Sequence, residues 1–594
     1  MNPDQLVGQI MQLVQEGEAY FNRREYTQAL TCWEAATTLF HPLIETQGKE
    51  LSSDIHQFYA TLLNNTGTAY EELDMLEQAL PEYLEAYRVG HAIAPQSFET
   101  AIRLSNIGSV YRKQGKLGLA LHYHEQASQL LHSLAPLSPE ATHQLTRIAA
   151  IYSDQDKWQK ALESYEAAYR IEQALGSLSL KTVAALNHIG FTCHKLGQLE
   201  KAIQAYENAV QALEGIRQTG AEPTSSFYVQ YSSAYLGLLI LYVDRNAKGD
   251  IALAFAALER YKAREFPQPL DLATVQSRVL PESTLLLSYA FAGEKLYRFA
   301  LRHNHWELFR QPIPETLESD LNTLVSAMFS GESADTSMQR RRLATLLLDG
   351  ISDSALEGAT QVIISPESNL YSLPFELLPW GESVFGEAFA ITYTPSATLL
   401  DALSKRTPPS HPTASFVGFG DPNSDGPTRE RRIGIGAFPA AGAEVREIAR
   451  IMDGTAFVGV EATPEAVLAH APHHKYVHFA TPGVYDPATA LASGLRLNAD
   501  LVVDLTSATE PDDTGYTIES RSTAWLLAGA RNALVALWPV SDRSMCLFLC
   551  YFYLELANNP DRPIAESLQI SRRAMRTIYP NELHWAPVVL FGLG

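Results

Sequence analysis

Two patterns of apolar spacing divide the chain. Over roughly the first 220 residues the apolar positions keep a helical period, and the pattern repeats. An alanine in the second half of each repeat recurs at Ala29, Ala79, Ala120, Ala161 and Ala202, at intervals of 50, 41, 41 and 41 residues. Twelve positions before each stands a small residue: Gly17, Gly67, Gly108, Ala149 and Gly190. Three positions after these come Tyr20, Tyr70, Tyr111, Tyr152 and Cys193, and four after each alanine come Trp33, Tyr83, His124, Tyr165 and Tyr206. Five sets in one register predict five helix pairs that meet closely at the small residues. One pair cannot bury its own apolar face, so neighbours must stack into a solenoid. The first interval, longer by nine, predicts a longer loop around Gln47–Ser53, and a last helical pair is expected over roughly Ser226–Glu265.

Beyond about residue 266 the period changes. TLLLSYAFAGEKLYRFALRHNHWELFRQ alternates apolar and polar positions with short turns, as a β-meander does. QVIIS, ASFVGFG, KYVHFA, DLVVDL, NALVALW and APVVLFGL then read as strands. AEVREIARIM, PEAVLAHA, STAWLLAGA and SMCLFLCYFYLELA read as helices between or after them. Such alternation predicts a mainly parallel sheet covered on both faces. The expected fold is therefore multidomain, an all-α solenoid followed by an α/β domain. The expected boundaries are 1–222 for the solenoid, 223–265 for a helical connector, 266–412 for a first lobe of the α/β domain and 413–594 for its core.

Composition narrows the function. Apolar residues make up 46% of the chain and aromatics 10%, which excludes wholesale disorder. Lys and Arg number 45 against 67 Asp and Glu, a net charge of −22 that repels a phosphate backbone and argues against nucleic acid as a direct partner. No apolar run approaches the ~18 residues a membrane span needs. The opening MNPDQLVGQI has neither the basic nor the apolar stretch of a signal peptide. Four cysteines, Cys32, Cys193, Cys546 and Cys550, imply no disulfide framework. Cys546 and Cys550 lie four apart in an apolar helix without nearby partners, so buried packing is expected there and no metal site or cofactor. A cytoplasmic protein is the expectation.

The repeat register resembles that of tetratricopeptide helix pairs, and the 41-residue period resembles the long-helix variant of kinesin light chains. ALERYKAREF, LPESTLLLSYAF, YSLPFELLP, ITYTPSATLL, PAAGAEVREI, HFATPG, LLAGARNALVALWPVSD and FYLEL, in that order over about 255–594, resemble the CHAT family of caspase-like domains, which is commonly attached to such repeats. The resemblance implies a histidine and a cysteine at the carboxyl ends of adjacent parallel strands, the imidazole pairing with a thiolate that attacks a peptide carbonyl. The family's HFATHG motif reads His478, Phe479, Ala480, Thr481, Pro482, Gly483 here, with proline at the catalytic position. Its cysteine motif, SACET after a strand, falls on Ser507 or on Thr509, depending on whether the strand or the alanine–acid pair anchors the match. No cysteine occurs between Cys193 and Cys546.

A hydroxyl in place of the thiol needs a base even more than cysteine does. His478 lies four residues, or roughly 13 Å, back along its strand. His470, His473 and His474 sit before that strand. The expectation is thus a pseudoprotease, catalytically inactive, that binds a protein or peptide partner. Two alternatives stay open: a peptidase rebuilt on Ser507 or Thr509, and a subunit of a bacterial defence or signalling complex. The second follows from the resemblance, since relatives with intact dyads serve guide-RNA assemblies or act as developmental proteases in filamentous cyanobacteria. A tetratricopeptide array presents a concave groove lined by the first helix of each pair, and counting from the glycine positions puts Asn64, Glu71, Arg112, Lys113, Asn187, His194 and Lys195 there. Asn64 and Asn187 are candidate clamps for a peptide backbone, because an amide both donates and accepts.

Overall fold

The computed structural model describes residues 3–47, 52–176, 179–219, 225–264, 266, 268–330, 335–406, 416–420, 439–480, 501–504, 523–537, 542–581 and 584–594. The chain divides into two compact units, Met1–Leu241 and Tyr242–Gly594. The division falls inside one helix, so the stretch 223–265 read as a connector contributes to both units.

The first unit is a run of consecutive helix pairs: α1 (Pro3–Asn22) with α2 (Tyr26–Gln47), α3 (Ser53–Glu72) with α4 (Leu76–Ile93), α5 (Phe98–Lys113) with α6 (Leu117–Leu134), α7 (Pro139–Asp154) with α8 (Trp158–Ala174), and α9 (Leu180–Lys195) with α10 (Leu199–Gln218). A serine opens the first helix of four pairs. Ser52, Ser97, Ser138 and Ser179, all in extended backbone, accept a hydrogen bond from the third residue of the helix and satisfy one of its free N–H groups. The turn inside each pair needs a left-handed residue, supplied by Arg24, Asp74, Gly115, Asp156 and Gly197. Each glycine of the set lies under the ring sixteen residues on. A Cβ at Gly67, Gly108 or Gly190 would come within 2.9, 2.7 or 2.7 Å of Tyr83, His124 or Tyr206. The loop expected around Gln47–Ser53 falls largely on residues 48–51, outside the described residues. The helices on either side are longer than their counterparts: α2 has 22 residues against 18 in α4, and α3 has 20 against 16 in α5.

α11 (Ser225–Arg245) crosses the division, and α12 (Asp250–Lys262) belongs to the second unit. Among the described residues that unit is built on one eleven-stranded sheet. Its strands are β1 (Thr284–Ala292), β2 (Lys295–Leu301), β3 (Trp306–Pro312), β4 (Gln361–Ser365), β5 (Ala390–Tyr393), β6 (Phe416–Gly420), β7 (Thr455–Val458), β8 (Tyr476–Ala480), β9 (Leu501–Asp504), β10 (Asn532–Ala536) and β11 (Val588–Gly592), in the spatial order β3-β2-β1-β4-β5-β11-β10-β9-β8-β6-β7. The β1–β3 meander is antiparallel, as is β10 with β11, and the remaining pairs are parallel. Central strands β4, β6, β8 and β10 are buried almost throughout, as a sheet with two covered faces requires. The longer helices are α13 (Leu317–Ser330), α14 (Ser337–Leu348), α15 (Ala397–Ser404), α16 (Pro439–Met452), α17 (Pro464–His470), α18 (Asp542–Asn558) and α19 (Ile564–Ile578).

Candidate functional site

Two places carry the chemistry singled out above. The first is the face of α3, α5, α7 and α9. Polar side chains there are largely spent on stitching one helix to the next. Asn106 donates to Asn64 Oδ1 at 3.0 Å. Ser105 donates to Gln144 (2.8 Å), whose amide in turn donates to His124 Nδ1 (2.7 Å). Glu71 accepts from the Tyr83 hydroxyl at 2.9 Å and pairs with Lys113 at 3.1 Å. Arg112 forms a two-pronged pair with Asp154, at 2.6 and 3.3 Å. Asn187 is buried, with its amide donating to the Gln230 carbonyl (3.1 Å) and side chain (2.8 Å) of α11. The Asn187 donors are thus occupied within the solenoid, because counting from the glycine leaves out the neighbouring helix that covers this position. Lys195 stands over the Phe191 and Trp158 rings at 5.4 and 5.8 Å, and His194 lies half-buried one residue before it.

A pocket on this face lies about two to four turns earlier than most of the counted residues. It has a volume of about 360 Å³ and is lined by Pro139, Thr142, His143, Thr146, Lys181 and His188, among others. Burial pushes the His143 imidazole below its ordinary pKa, with Arg147 and Lys181 adding to the shift, and burial alone lowers His188. Arg147 reaches across to the Ser109 hydroxyl. His143, Arg147 and Lys181 were not among the counted candidates. Their signal was a cation or imidazole repeated on adjacent first helices.

The second place is the carboxyl edge of the parallel strands in the second unit. β8 and β9 are parallel neighbours with His478 opposite Val503, and the chain leaves them at Ala480 and Asp504, side by side on one edge. Pro482, Ser507 and Thr509 follow these strands in the chain and are outside the described residues. His478 is fully buried. Its Nε2 donates to Glu444 Oε1 of α16 at 3.0 Å, and its Nδ1 hydrogen-bonds the Tyr553 hydroxyl of α18 at 3.1 Å. Burial, with Glu444 beside it, drives the Tyr553 phenol well above its usual pKa. Both imidazole nitrogens are therefore engaged inside the packing of helix on sheet. His470 and His474 hold similarly local contacts: the Phe457 ring lies 4.6 Å from the His470 ring, and His474 Nδ1 bonds the His470 carbonyl at 2.7 Å.

A sequence model of the CHAT domain matches residues 339–514 and 505–593, and a tetratricopeptide repeat model matches 58–131 and 140–215. The chain joins tetratricopeptide repeats to a CHAT domain. Tetratricopeptide repeat protein 28 from Mus musculus is 25% identical over 297 residues, 39% of this chain and 12% of that protein. The Homo sapiens protein of the same name is 25% identical over 296 residues, again 39% of this chain and 12% of its own length. The chain thus spans about an eighth of the length of these relatives. Among solved structures, a putative kinesin light chain with nearly identical repeats from Podosopora anserina is 16% identical, covering 37% of this chain and 99% of that one at a TM-score of 0.31. The Saccharomyces cerevisiae separase–securin complex is 10% identical, covering 96% of this chain and 57% of that one at a TM-score of 0.42. Both likenesses are too loose to carry an inference.

In this tetratricopeptide–CHAT chain all four cysteines lie on helices, and none stands on β8 or β9. Cys546 and Cys550 are half-buried on α18, less enclosed than packing residues were expected to be, and the Cys550 thiol is pushed up chiefly by its hydrogen bond with Cys546 and then by burial. Among the described residues no group of three or more His, Cys, Asp or Glu is arranged to hold a metal, and no helix is long and apolar enough to cross a membrane.

Proposed function

We propose that this chain is a protein-binding regulator or scaffold whose caspase-like domain does not cleave peptides. The observation that carries the reading is chemical: proline stands at 482 where the CHAT motif has its catalytic histidine, and no cysteine occurs between Cys193 and Cys546. A thiolate mechanism needs both groups at one edge of the sheet. The histidine left in the motif, His478, supports the reading, because its nitrogens are committed to Glu444 and Tyr553 within the core. Partner binding falls to the repeats. The groove pocket with His143, Lys181 and His188, and Arg147 bonded to His143, offers cationic and imidazole groups beside the Glu140 carboxylate to an extended segment.

The test has two arms. Wild-type chain and a His143→Ala/Lys181→Ala variant are used as bait in lysate of the native host, and the captured proteins are identified by mass spectrometry and tested for new termini. Capture of a partner that the variant loses, with no new termini, is the expected result. Cleavage of a partner that Ser507→Ala or Thr509→Ala abolishes would overturn the reading.

A further inference from the structure

The outermost strand β3 pairs with β2 alone, and among the described residues no strand pairs with its other edge. An open edge is a row of unpaired N–H and C=O groups, which proteins usually blunt by shortening, charging or covering it. This one runs seven residues, WELFRQP, with Trp306 and Phe309 exposed by 41% and 37%. Where it ends, a pocket of about 440 Å³ opens between Gln311 and Pro312, the start of α13, and α14. Leu317, Leu343 and Leu346, all buried, form its floor. The Gln311 side chain donates to the Leu346 carbonyl and ties the strand end to the helix.

The charges on the lining identify what fits. They are Asp320, Arg341 and Arg342. Arg342 pairs with the buried Asp320 carboxylate, so Arg341, exposed at the mouth, is the surplus charge. In a chain of net charge −22, a lone cation over an apolar floor selects a carboxylate adjoining an apolar side chain.

We propose that β3 and this pocket dock an extended peptide of a partner protein. The peptide adds to the free edge as a strand, seats one apolar side chain on the leucine floor, and sets a carboxylate against Arg341. The carboxylate belongs to an Asp or Glu side chain or to the peptide's own carboxyl terminus. The residues involved are all different from those of the repeat groove, so the fate of this site is independent of the groove.

Phage-displayed random peptides of about twelve residues, selected on the whole chain and counter-selected on Arg341→Glu/Thr345→Trp, test it. Thr345 is exposed at the rim, and a tryptophan there fills the pocket without replacing a buried leucine. The expected clones carry an apolar residue next to an acid. Resynthesised, their binding weakens by about tenfold or more in Arg341→Glu and is lost in Thr345→Trp, with circular dichroism and Tm unchanged. Comparing free-acid and amidated peptides assigns the carboxylate. If Thr345→Trp lowers Tm, Arg341→Glu alone decides. No clone that separates wild type from the double variant, or separating clones without a carboxylate, overturns the proposal. So does sedimentation showing that the wild type self-associates and the variant does not, since the edge then belongs to a second copy.

Discussion

His124 fills the position held by Trp33, Tyr83, Tyr165 and Tyr206 in the other repeats, under Gly108 and against Gln144. Burial, reinforced by Arg147 and Arg112, brings its pKa from 6.5 down to about 3. A neutral imidazole in the fold and a titrating one in the unfolded chain mean that the unfolded state binds more protons below 6.5. Stability therefore falls as pH drops through 6.5 towards 3. From about pH 7.5 to about pH 5.5 this one group removes about 1.4 kcal/mol. Urea melts of wild type and His124→Tyr at both pH values check it: the substitution is expected to remove that part of the slope, and an unchanged slope refutes the assignment. His478 gives a second case. Replacing it with Leu strands the buried Glu444 carboxylate and costs about 1–3 kcal/mol. Adding Glu444→Leu is expected to recover much of the loss, because the orphaned acceptor goes with it. Two additive losses in thermal melts would show that the pair does not act as a pair. Sequence could place His478 on a strand, but not say what faced it. Its partners come from α16 and α18, 34 residues before and 75 after. Asn187 was misread for the same reason, since α11 rather than solvent receives its amide.

The elements were far more legible than the contacts. All six strand segments read after the meander are strands in the sheet, because buried β-branched runs bounded by turn residues have few other uses. β5 (AITY) and β7 (TAFV) were not read, although β9 (LVVD), equally short, was: neither has a pair of adjacent β-branched aliphatic residues like Val502–Val503. The antiparallel return of β11 between β5 and β10 also has no local signal, since direction depends on a connection through two helices. In the repeats the register of small residues was legible, and so was its cause. Tyr206 shows how tight that cause is. Its ring is pressed from two sides, for a Cβ at Gly190 would come to 2.7 Å and one at Gly237 to 2.6 Å. Gly190→Ala adds about 1 kcal/mol of helix propensity, yet squeezing a ring with no room to retreat costs about 1–3 kcal/mol. The variant is expected to melt lower than wild type in chemical denaturation. A higher midpoint would mean that the solenoid can spread at this joint.

At the scale of the whole chain, where the second unit begins depends on α12. That helix lies in the stretch read as a connector, yet its side chains complete the sheet. Glu259, fully buried, accepts from the backbone N–H groups of Ala397 and Thr398 at 3.2 and 3.1 Å and from the Thr398 hydroxyl at 2.9 Å, capping α15. Burial raises its carboxyl pKa even against the pull of these donors. Lys262 donates to Ser365 O and Oγ at 2.8 Å and to Pro366 O at 2.9 Å, at the carboxyl end of β4. Phe255 packs edge-on against Phe299 of β2 with centroids 5.4 Å apart. Removing α12 leaves these groups without partners, at about 1–3 kcal/mol for each one buried, against a total stability on the order of 5–15 kcal/mol for a domain. A fragment 242–594 is therefore expected to melt cooperatively. A fragment 266–594 is expected to bind the dye ANS (8-anilinonaphthalene-1-sulfonate) and to show no cooperative transition, with a synthetic peptide 242–265 restoring part of it. If 266–594 melts as sharply and at the same temperature as 242–594, α12 is a linker after all, and the caspase-like fold stands without it.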